Sequence, residues 1–251
     1  MKYFGIITVR TSSSRLKQKC LLSFGRIKVI EHVIKRCIKS NIIPILCTTR
    51  EKADKILVQI AKKFNIKYFR GSNNNKIKRW FDCCKKYKIN AFHTIDADDP
   101  FFDPKAVKKS LSLLNNSKYD IIYPSEISKN GAASEGYSFK FSAINRLTNL
   151  IKKKFNNYNK LDTEMIERFI NEKNFKIKKF SGMKYQLRKV RLTLDYFEDY
   201  IMLDLIRRSF KNYYIERQKI NTFLSKNKNI IKINYFRNSE WKSRQNKLLK
   251  K

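Results

Sequence analysis

The sequence predicts an α/β fold with a doubly wound, mostly parallel sheet. Short β-branched apolar segments alternate with longer segments whose apolar residues recur at helical spacing. This alternation is typical of right-handed βαβ units that share one sheet. The chain has 251 residues. We expect one domain over residues 1–225 and a basic C-terminal extension over residues 226–251.

The first strand leads into a strongly polar loop. Residues 3–9 are apolar, β-branched and aromatic, so they predict a buried strand. The loop that follows carries cations and serine hydroxyls: Arg10, Ser12, Ser13, Ser14, Arg15, Lys17 and Lys19. A loop in this position of an open α/β sheet is a common ligand site, and these groups suit a polyphosphate. A solvated loop without a ligand is the alternative in so basic a protein.

Strands and helices then follow at a regular rhythm. The first half predicts strands at 42–49, 66–69, 90–95 and 119–123, and helices at 29–38, 52–64, 77–87 and 105–115. The strand at 3–9 and the strand at 90–95 both end in polar loops. This topology allows the two loops to face one crevice.

The pattern is looser in the second half. Residues 125–135 are polar and contain Gly131, which predicts a mobile loop. The remaining predicted strands are 136–141, 175–180, 187–194 and a short one at 230–233, and the predicted helices are 142–154, 162–172, 197–209 and 214–225.

The chain is very basic, with 57 Lys and Arg against 21 Asp and Glu, a net charge of +36. So strong a field attracts polyanions, and one interpretation is an RNA-binding protein. Abundant Lys, Asn, Ile, Tyr and Phe are also what an A/T-rich coding sequence produces, and the lysines are spread over every predicted helix. We favour this compositional drift and expect no specific nucleic-acid partner.

The five cysteines lie in mostly apolar segments. Their spacing and the lack of a nearby histidine indicate neither a zinc site nor a disulfide framework. No apolar run approaches the roughly 20 residues of a membrane helix, and we see no secretory signal. We therefore expect a cytoplasmic protein that does not insert into a membrane.

The scarce acidic residues form two clusters, one at a strand end and one at the start of a late helix: Asp96, Asp98 and Asp99, and Asp195, Glu198 and Asp199. Acids in a first helical turn are also ordinary capping partners. Mg²⁺ takes one or two carboxylates together with phosphate oxygens and water. Asp98 and Asp195, facing the basic loop, therefore suit a magnesium–triphosphate complex.

Four segments resemble motifs of the cytidylyltransferases that activate acidic sugars, namely the Kdo, acylneuraminate and spore-coat polysaccharide biosynthesis enzymes. Residues 9–22 match the opening A-R-M-G-S-S-R-L-P-G-K-V-L-L. Residues 69–72 match F-R-G-S, with 79–81 in the place of D-R-Y. Residues 96–104 match T-G-D-C-P-L-I-D-P, and residues 191–199 match R-x-T-V-D-T-P-E-D. Together the four cover roughly residues 3–205.

The resemblance implies a GT-A-like nucleotidyltransferase fold with a smaller acceptor-binding or dimerisation part at 125–190. It implies transfer of CMP from CTP to an acidic sugar, with release of pyrophosphate, for surface polysaccharide biosynthesis. It assigns catalysis to Arg15, Lys19, Asp98 and Asp195, with Mg²⁺ on Asp98 and Asp195, and CTP binding to Arg10, Ser12, Ser13, Ser14, Arg15, Lys19, Arg70, Ser72 and Arg79. A homodimer is consistent with the family.

The chain departs from the family at several positions. The first motif has Ser12 where the family has Gly, and Lys17-Gln18 where it has Pro-Gly. Ala97 replaces the Gly of the metal motif. The acceptor segments around 131–141 and 163–167 are barely recognisable. The nucleotide half thus matches the family well, whereas the acceptor half is altered. The identity of the acceptor therefore stays open, and a diverged inactive copy is an alternative.

Two other functions remain open. Asp96-Ala97-Asp98 satisfies the D-x-D pattern of a GT-A glycosyltransferase that uses a nucleotide-sugar, although Arg15 and Lys19 suit a free triphosphate better. The non-enzymatic alternative is RNA binding through the net charge.

Several histidine and aromatic residues are of types that often function in active sites, but we expect them to have structural roles here. His32 and His93 lie on predicted core elements, so we expect structural histidines. Trp80 and Phe81 have the helical spacing of core residues, although aromatic rings can also stack on a base. Glu135 would either contact the acceptor or be a solvated loop acid.

Overall fold

A seven-stranded sheet is the centre of the molecule in the computed structural model, which describes residues 2–126, 128, 135–212 and 214–250. Its strands, in spatial order, are β5 (Lys67–Gly71), β4 (Ile43–Thr49), β1 (Phe4–Thr8), β6 (Ala91–Asp96), β8 (Ser138–Lys140), β7 (Ile121–Tyr123) and β9 (Ile177–Lys179). A separate hairpin is formed by β2 (Ser23–Phe24) and β3 (Ile27–Lys28).

The strands β5, β4, β1 and β6 are parallel, and β8 runs antiparallel to both β6 and β7. The predicted α/β fold with a mostly parallel sheet is therefore confirmed. Thr8 at the end of β1 lies opposite Asp96 at the end of β6. The two polar loops that leave these strands are thus neighbours, and they can form one crevice at the carboxyl ends of the strands.

Helices cover both faces of the sheet. The helices, among the described residues, are α1 (Val29–Lys39), α2 (Lys55–Lys63), α3 (Lys76–Tyr87), α4 (Pro104–Asn115), α5 (Phe141–Lys154), α6 (Phe197–Arg208), α7 (Arg217–Lys226), α8 (Lys228–Tyr235) and α9 (Arg237–Lys250). One core cluster joins the sheet to α1, α2 and α4, and a second joins it to α3 and α5. Ile6 and Ile7 are fully buried on opposite faces, because successive strand residues point to opposite sides.

A third apolar cluster lies beside the sheet and joins α6 and α7 to the hairpin. Val190, Leu192 and Leu194 contribute alternate buried side chains to it. Burial of one such aliphatic side chain is worth about 1.5–3 kcal/mol. This packing fixes the chain on both sides of Asp195, so that its carboxylate has one position relative to the sheet.

Three sequence-based predictions were wrong. Residues 187–194 contain bends at 188 and 189 and form no strand, because the alternation of Val190, Leu192 and Leu194 arises from packing with α6 and α7 in the third cluster. Residues 230–233 lie in α8, since packing on the third cluster overrides β-branched propensity. Residues 162–172 contain only the 3₁₀ turns Ile166–Phe169 and the start of Glu172–Asn174. Most of the loop predicted at 125–135 lies outside the described residues.

All five cysteines are buried as free thiols. Within the ranges that the structure describes, none of the helices combines the length and the apolar character that crossing a bilayer demands.

Candidate active site

A cavity of about 1260 Å³ lies at the carboxyl ends of β1 and β6. It brings together nine of the residues that the sequence singled out: Arg10, Ser12, Ser13, Ser14, Arg15, Lys19, Arg79, Asp98 and Asp195. Arg70 and Ser72 are not part of the described lining. The Arg70 guanidinium donates to the carbonyls of Thr49 and Glu51, and the Ser72 hydroxyl donates to the carbonyl of Asn159.

The polar loop is anchored at its start by Asp54, a residue that sequence analysis missed. The backbone N–H and the hydroxyl of Thr11 donate to Asp54 Oδ1 at 2.8 and 2.7 Å. The hydroxyls of Thr48 and Thr49 at the end of β4 donate to Oδ2. Burial raises the pKa of Asp54, but these hydrogen bonds outweigh it and hold the pKa below 3.8. The charged carboxylate therefore ties the loop to β4.

Further along the loop, Gln18 adopts a left-handed conformation with φ 51° and ψ 30°. It occupies the position where the family pattern has Gly, and a side chain costs about 1 kcal/mol in this region. Its carbonyl accepts from the N–H of Leu21 at 2.7 Å, which closes a tight turn. The turn is thus kept although the glycine is absent, and it directs Lys19 into the cavity.

Lys19 lies between two carboxylates from opposite halves of the chain. Its Nζ is 2.5 Å from Asp98 Oδ2 and 2.8 Å from Asp195 Oδ1. The N–H of Leu194 donates to the carbonyl of Asp98 at 2.7 Å, which keeps the two segments adjacent. Burial lowers the pKa of Lys19, but the two carboxylates outweigh it and raise the pKa above 10.5. Lys19 is therefore a permanent cation in this site.

Asp195 is held from several sides. Its Oδ1 also accepts from the Arg15 guanidinium, and Oδ2 accepts from Arg191 at 3.3 Å. Burial raises the pKa of Asp195, but Lys19 and Arg15 outweigh it and hold the pKa below 3.8. The carboxylate stays ionised and fixed.

Asp199, in the first turn of α6, orients this cluster. Its carboxylate pairs with Arg191 and accepts the N–H groups of Asp195 and Tyr196 at 2.9 Å. It is therefore the helix cap that first-turn acids predict. Glu198 points elsewhere and pairs with Arg237 at 2.8 Å.

A second charged group lies at another part of the cavity, and sequence analysis did not identify one of its two cations, Lys76. Glu164 is 3.3 Å from Lys76 Nζ and 3.7 Å from the Arg10 guanidinium. The charge of Lys76, against the effect of burial, lowers the pKa of Glu164 to about 2. Asp96 lies nearby, and its burial raises its pKa above 3.8. Lys76 is the first residue of α3 and lies in none of the four motifs, which explains why sequence analysis did not mark it.

The wall beyond β6 is set by Gly136, whose φ is +66°. A Cβ there would lie 2.0 Å from the carbonyl oxygen of Thr94, so only glycine fits. The neighbouring Tyr137 donates its hydroxyl to Glu167, and both line the cavity. Glu135 is buried and accepts from the N–H of Ser125 at 2.7 Å and from Gln186. The solvated interpretation of Glu135 is therefore wrong.

The aromatic and histidine candidates have structural roles. Trp80 is fully buried, donates its Nε1–H to the Thr8 hydroxyl at 2.9 Å and packs against Phe92. His93 bonds Ser138 and the carbonyl of Glu135, and burial lowers its pKa to about 4. His32 is buried in edge contact with Phe24. Arg79 lines the cavity, while its guanidinium donates to the carbonyl of Ser72 at 2.7 Å.

The acidic groups of the cavity provide hard oxygen donors. One carboxylate oxygen from each of Asp96, Asp98 and Asp99 lies within 4.8 Å of the others. Asp98 also shares the Lys19 ammonium with Asp195, so these two carboxylates already hold one positive charge between them. This donor set suits a divalent cation such as Mg²⁺, which prefers carboxylate oxygens. Asp98 belongs to both groupings.

Cations and hydroxyls on a strand-end loop, facing fixed carboxylates at the edge of a parallel sheet, are the features of an enzyme that works on nucleotide phosphates. The fold and the site together define a nucleotidyltransferase. Comparison with known proteins makes the class more specific.

A family model described as cytidylyltransferase matches residues 4–230. An uncharacterized protein of Methanocaldococcus jannaschii is 28% identical over 239 residues, 93% of this chain and 95% of that protein. A 3-deoxy-manno-octulosonate cytidylyltransferase of Rickettsia canadensis is 34% identical over 125 residues, 47% of this chain. The match spans 50% of that relative's length.

Solved structures agree. A cytidylyltransferase from Leptospira borgpetersenii has a TM-score of 0.78 and 25% identity, over 92% of this chain and 97% of that one. A CMP:2-keto-3-deoxy-manno-octonic acid synthetase complexed with CTP has a TM-score of 0.62 and shares the fold at 14% identity, over 83% of this chain and 99% of that one. This chain belongs to the cytidylyltransferase family. The resemblance seen in the sequence is thereby confirmed.

Proposed function

We propose that the protein transfers CMP from CTP to a hydroxyl of an acidic sugar or related acceptor, in a Mg²⁺-dependent reaction that supplies surface polysaccharide biosynthesis in the cytoplasm. The observation that supports this most directly is the placement of Lys19 between Asp98 and Asp195, beside the serine-rich loop and in one cavity. This arrangement joins phosphate-binding cations to two carboxylates from distant segments of the chain.

In this proposal the triphosphate of CTP lies on the loop of residues 10–19. The acceptor hydroxyl attacks the α-phosphorus in line, a new P–O bond forms, and the bond to the β-phosphate oxygen breaks. The hydroxyl proton is released to the medium, and pyrophosphate leaves. Arg15 and Lys19 stabilise the charge on the leaving group, and most of the rate enhancement comes from positioning and fixed charge.

Asp98 and Asp195 are the residues that would hold Mg²⁺. Magnesium bound there would neutralise charge on the phosphate oxygens. When a cation occupies the carboxylates, the Lys19 ammonium would be free to bind phosphate, whose negative charge would replace the carboxylates as its partner. The two roles of Lys19 are thus compatible.

The acceptor would bind near Tyr137 and Glu164, within the acceptor part proposed for residues 125–190. Beside this part lie the cations Lys76 and Arg10, which pair with Glu164 in the ligand-free protein. A carboxylate on the acceptor could compete with Glu164 for these cations. Pairing of two copies through the same part is included in the proposal, and light scattering would test it.

The first test measures thermal stability with CTP, UTP, ATP, GTP or a UDP-sugar, each with and without Mg²⁺. A ligand that binds only the folded state stabilises it by about 2.7 kcal/mol at one hundred times its Kd, a shift of about 5 °C or more for a chain of this size. We expect a Mg²⁺-dependent shift with CTP alone. A shift with UDP-sugars and none with CTP would instead indicate a glycosyltransferase and contradict the proposal.

The second test follows pyrophosphate release from CTP with 2-keto sugar acids and with neutral sugars of equal size. The proposed function requires release with an acidic acceptor only. Release that is indifferent to the acceptor's carboxylate would exclude the acidic-sugar assignment but leave the nucleotidyltransferase. The variant Glu164→Gln serves as the control for the acceptor side.

A further inference from the structure

The helix α9 lies along the cavity although it follows the residues that match the family model, which end at 230. Seven of its residues line the cavity: Trp241, Lys242, Arg244, Gln245, Asn246, Leu248 and Leu249. The two exceptions between 241 and 249 are Ser243 and Lys247, which are four positions apart and share one helix face. A single face of α9 therefore points outward, and the remainder faces the cavity.

The start of α9 is fixed to the cluster that holds Asp195. Arg237 pairs with Glu198 at 2.8 Å, and its guanidinium lies 5.0 Å from the centre of the Tyr196 ring. The Trp241 ring lies 5.5 Å from the Arg191 guanidinium, which in turn pairs with Asp195. These contacts hold α9 against the nucleotide half of the site.

The charge of the cavity changes when α9 is included. Among the described lining residues six are acidic, namely Asp96, Asp98, Asp99, Glu164, Glu167 and Asp195. The rest of the chain supplies five cations, namely Arg10, Arg15, Lys19, Lys76 and Arg79. Without α9, the described lining residues carry a formal net charge of −1. With Lys242 and Arg244 of α9, this net charge becomes +1.

The cations of α9 also differ in their partners from four of the five other cations. Arg10, Arg15, Lys19 and Lys76 each form an ion pair with an acid of the cavity. Over the ranges that the structure describes, no ion pair involves Lys242 or Arg244. Their positive charge is therefore not neutralised by the protein. An anion in the cavity can use them without first breaking an internal pair.

We propose that α9 is the outer wall of the substrate site and that Lys242 and Arg244 bind the phosphates of the nucleotide. This inference rests on the proposed function, and it adds two binding residues that no family motif contains. The exposed apolar residues Leu248 and Leu249 line the cavity together with these two cations, and the bound nucleotide would cover them.

The test compares K242Q/R244Q with K228Q/K247Q, which removes the same charge from exposed positions outside the described lining. Isothermal titration at 0.15 M salt measures Kd for Mg–CTP and for tripolyphosphate, which probes the anion site without the base. We expect K242Q/R244Q to weaken both ligands about tenfold relative to the wild type, and K228Q/K247Q to stay within about twofold. The melting temperature of each variant verifies folding.

Equal affinity of the two double variants for tripolyphosphate, or no binding by any of the three proteins, would overturn the inference. The proposed function fails separately, when the wild type binds tripolyphosphate but not CTP. In that case the comparison of the two variants with tripolyphosphate still decides whether α9 binds phosphate. A loss confined to K242Q/R244Q supports the inference.

Discussion

Lys19 Nζ lies 2.5 Å from Asp98 Oδ2, and the same ammonium is 2.8 Å from Asp195 Oδ1. One cation of the polar loop thus joins the two carboxylates that terminate distant segments of the chain. The carboxylates raise the pKa of Lys19 even though burial opposes them. The loop, the strand end and the start of α6 are consequently a single electrostatic unit.

Replacement of either carboxylate by its amide should abolish most turnover. Asp98→Asn and Asp195→Asn remove charge that binds Lys19 and would hold Mg²⁺, so we expect kcat to fall by about 10²-fold or more. Pyrophosphate release measures this effect, and circular dichroism verifies the fold. Asp82→Asn, which breaks a pair with Lys78 on α3 outside the described lining of the cavity, should retain wild-type kcat. Wild-type turnover in either site variant would refute the metal assignment.

Arg15 should contribute to nucleotide affinity. Its guanidinium contacts Asp195 and lies 5.6 Å from the centre of the Tyr196 ring, which directs it into the cavity. A charged hydrogen bond to phosphate is worth about 1.5–3 kcal/mol, so Arg15→Ala should weaken CTP binding by about 10- to 150-fold. Titration calorimetry with Arg26→Ala, an exposed arginine outside the described lining, supplies the control. Unchanged affinity in Arg15→Ala would remove this residue from the site.

The pair between Glu164 and Lys76 should make stability depend on acid pH. Lys76 lowers the pKa of Glu164 from 4.5 to about 2. A lowered pKa gives a contribution that is complete above pH 4.5 and is lost as the pH falls toward 2. Because the Glu164 side chain is 49% exposed, water screens the pair, and we expect about 1 kcal/mol.

Urea unfolding of the wild type and Glu164→Gln would measure this term. The difference in free energy of unfolding should be constant between pH 7 and pH 5 and should shrink by pH 3. A difference that grows as the pH falls would show that the pair does not stabilise the fold.

The two tryptophans should differ sharply in their effect on stability. Trp80 is 1% exposed and packed against Phe92 and Phe139, so Trp80→Ala should lower the free energy of unfolding by about 3–5 kcal/mol. Trp241 is partly exposed on α9, and Trp241→Ala should cost less than about 1 kcal/mol. Denaturant unfolding measures both. Similar values for the two would contradict the assignment of Trp80 to the core.

Replacement of Gln18 by glycine should stabilise the folded protein. Its φ of 51° is strained for a side chain, so Gln18→Gly should raise the free energy of unfolding by about 0.5–1 kcal/mol. Lys17→Gly is the matched control, because Lys17 does not have a positive φ and glycine there only increases the freedom of the unfolded chain. Thermal unfolding that shows a loss of stability in Gln18→Gly would refute the strained turn.

Part of the site could be predicted from the sequence, because the residues concerned are close together in the chain. The loop of residues 10–19 follows its strand directly, so its hydroxyls and cations were visible as one motif. Asp98 and Asp195 were found because each follows an apolar segment. Asp54, Lys76 and the cavity face of α9 were missed, since none has a local pattern of its own and each contributes to the site through contacts with distant residues, such as that of Asp54 with Thr11.

The sequence by itself determined the α/β class, the parallel strands and the composition of the phosphate loop, because strand and helix periodicity records which side of each element is buried. Only the tertiary structure decided that residues 187–194 form no strand and that 230–233 are helical. It also brought Lys19 between Asp98 and Asp195 and placed α9 over the cavity. Those outcomes depend on packing between distant segments, which no short stretch of sequence encodes.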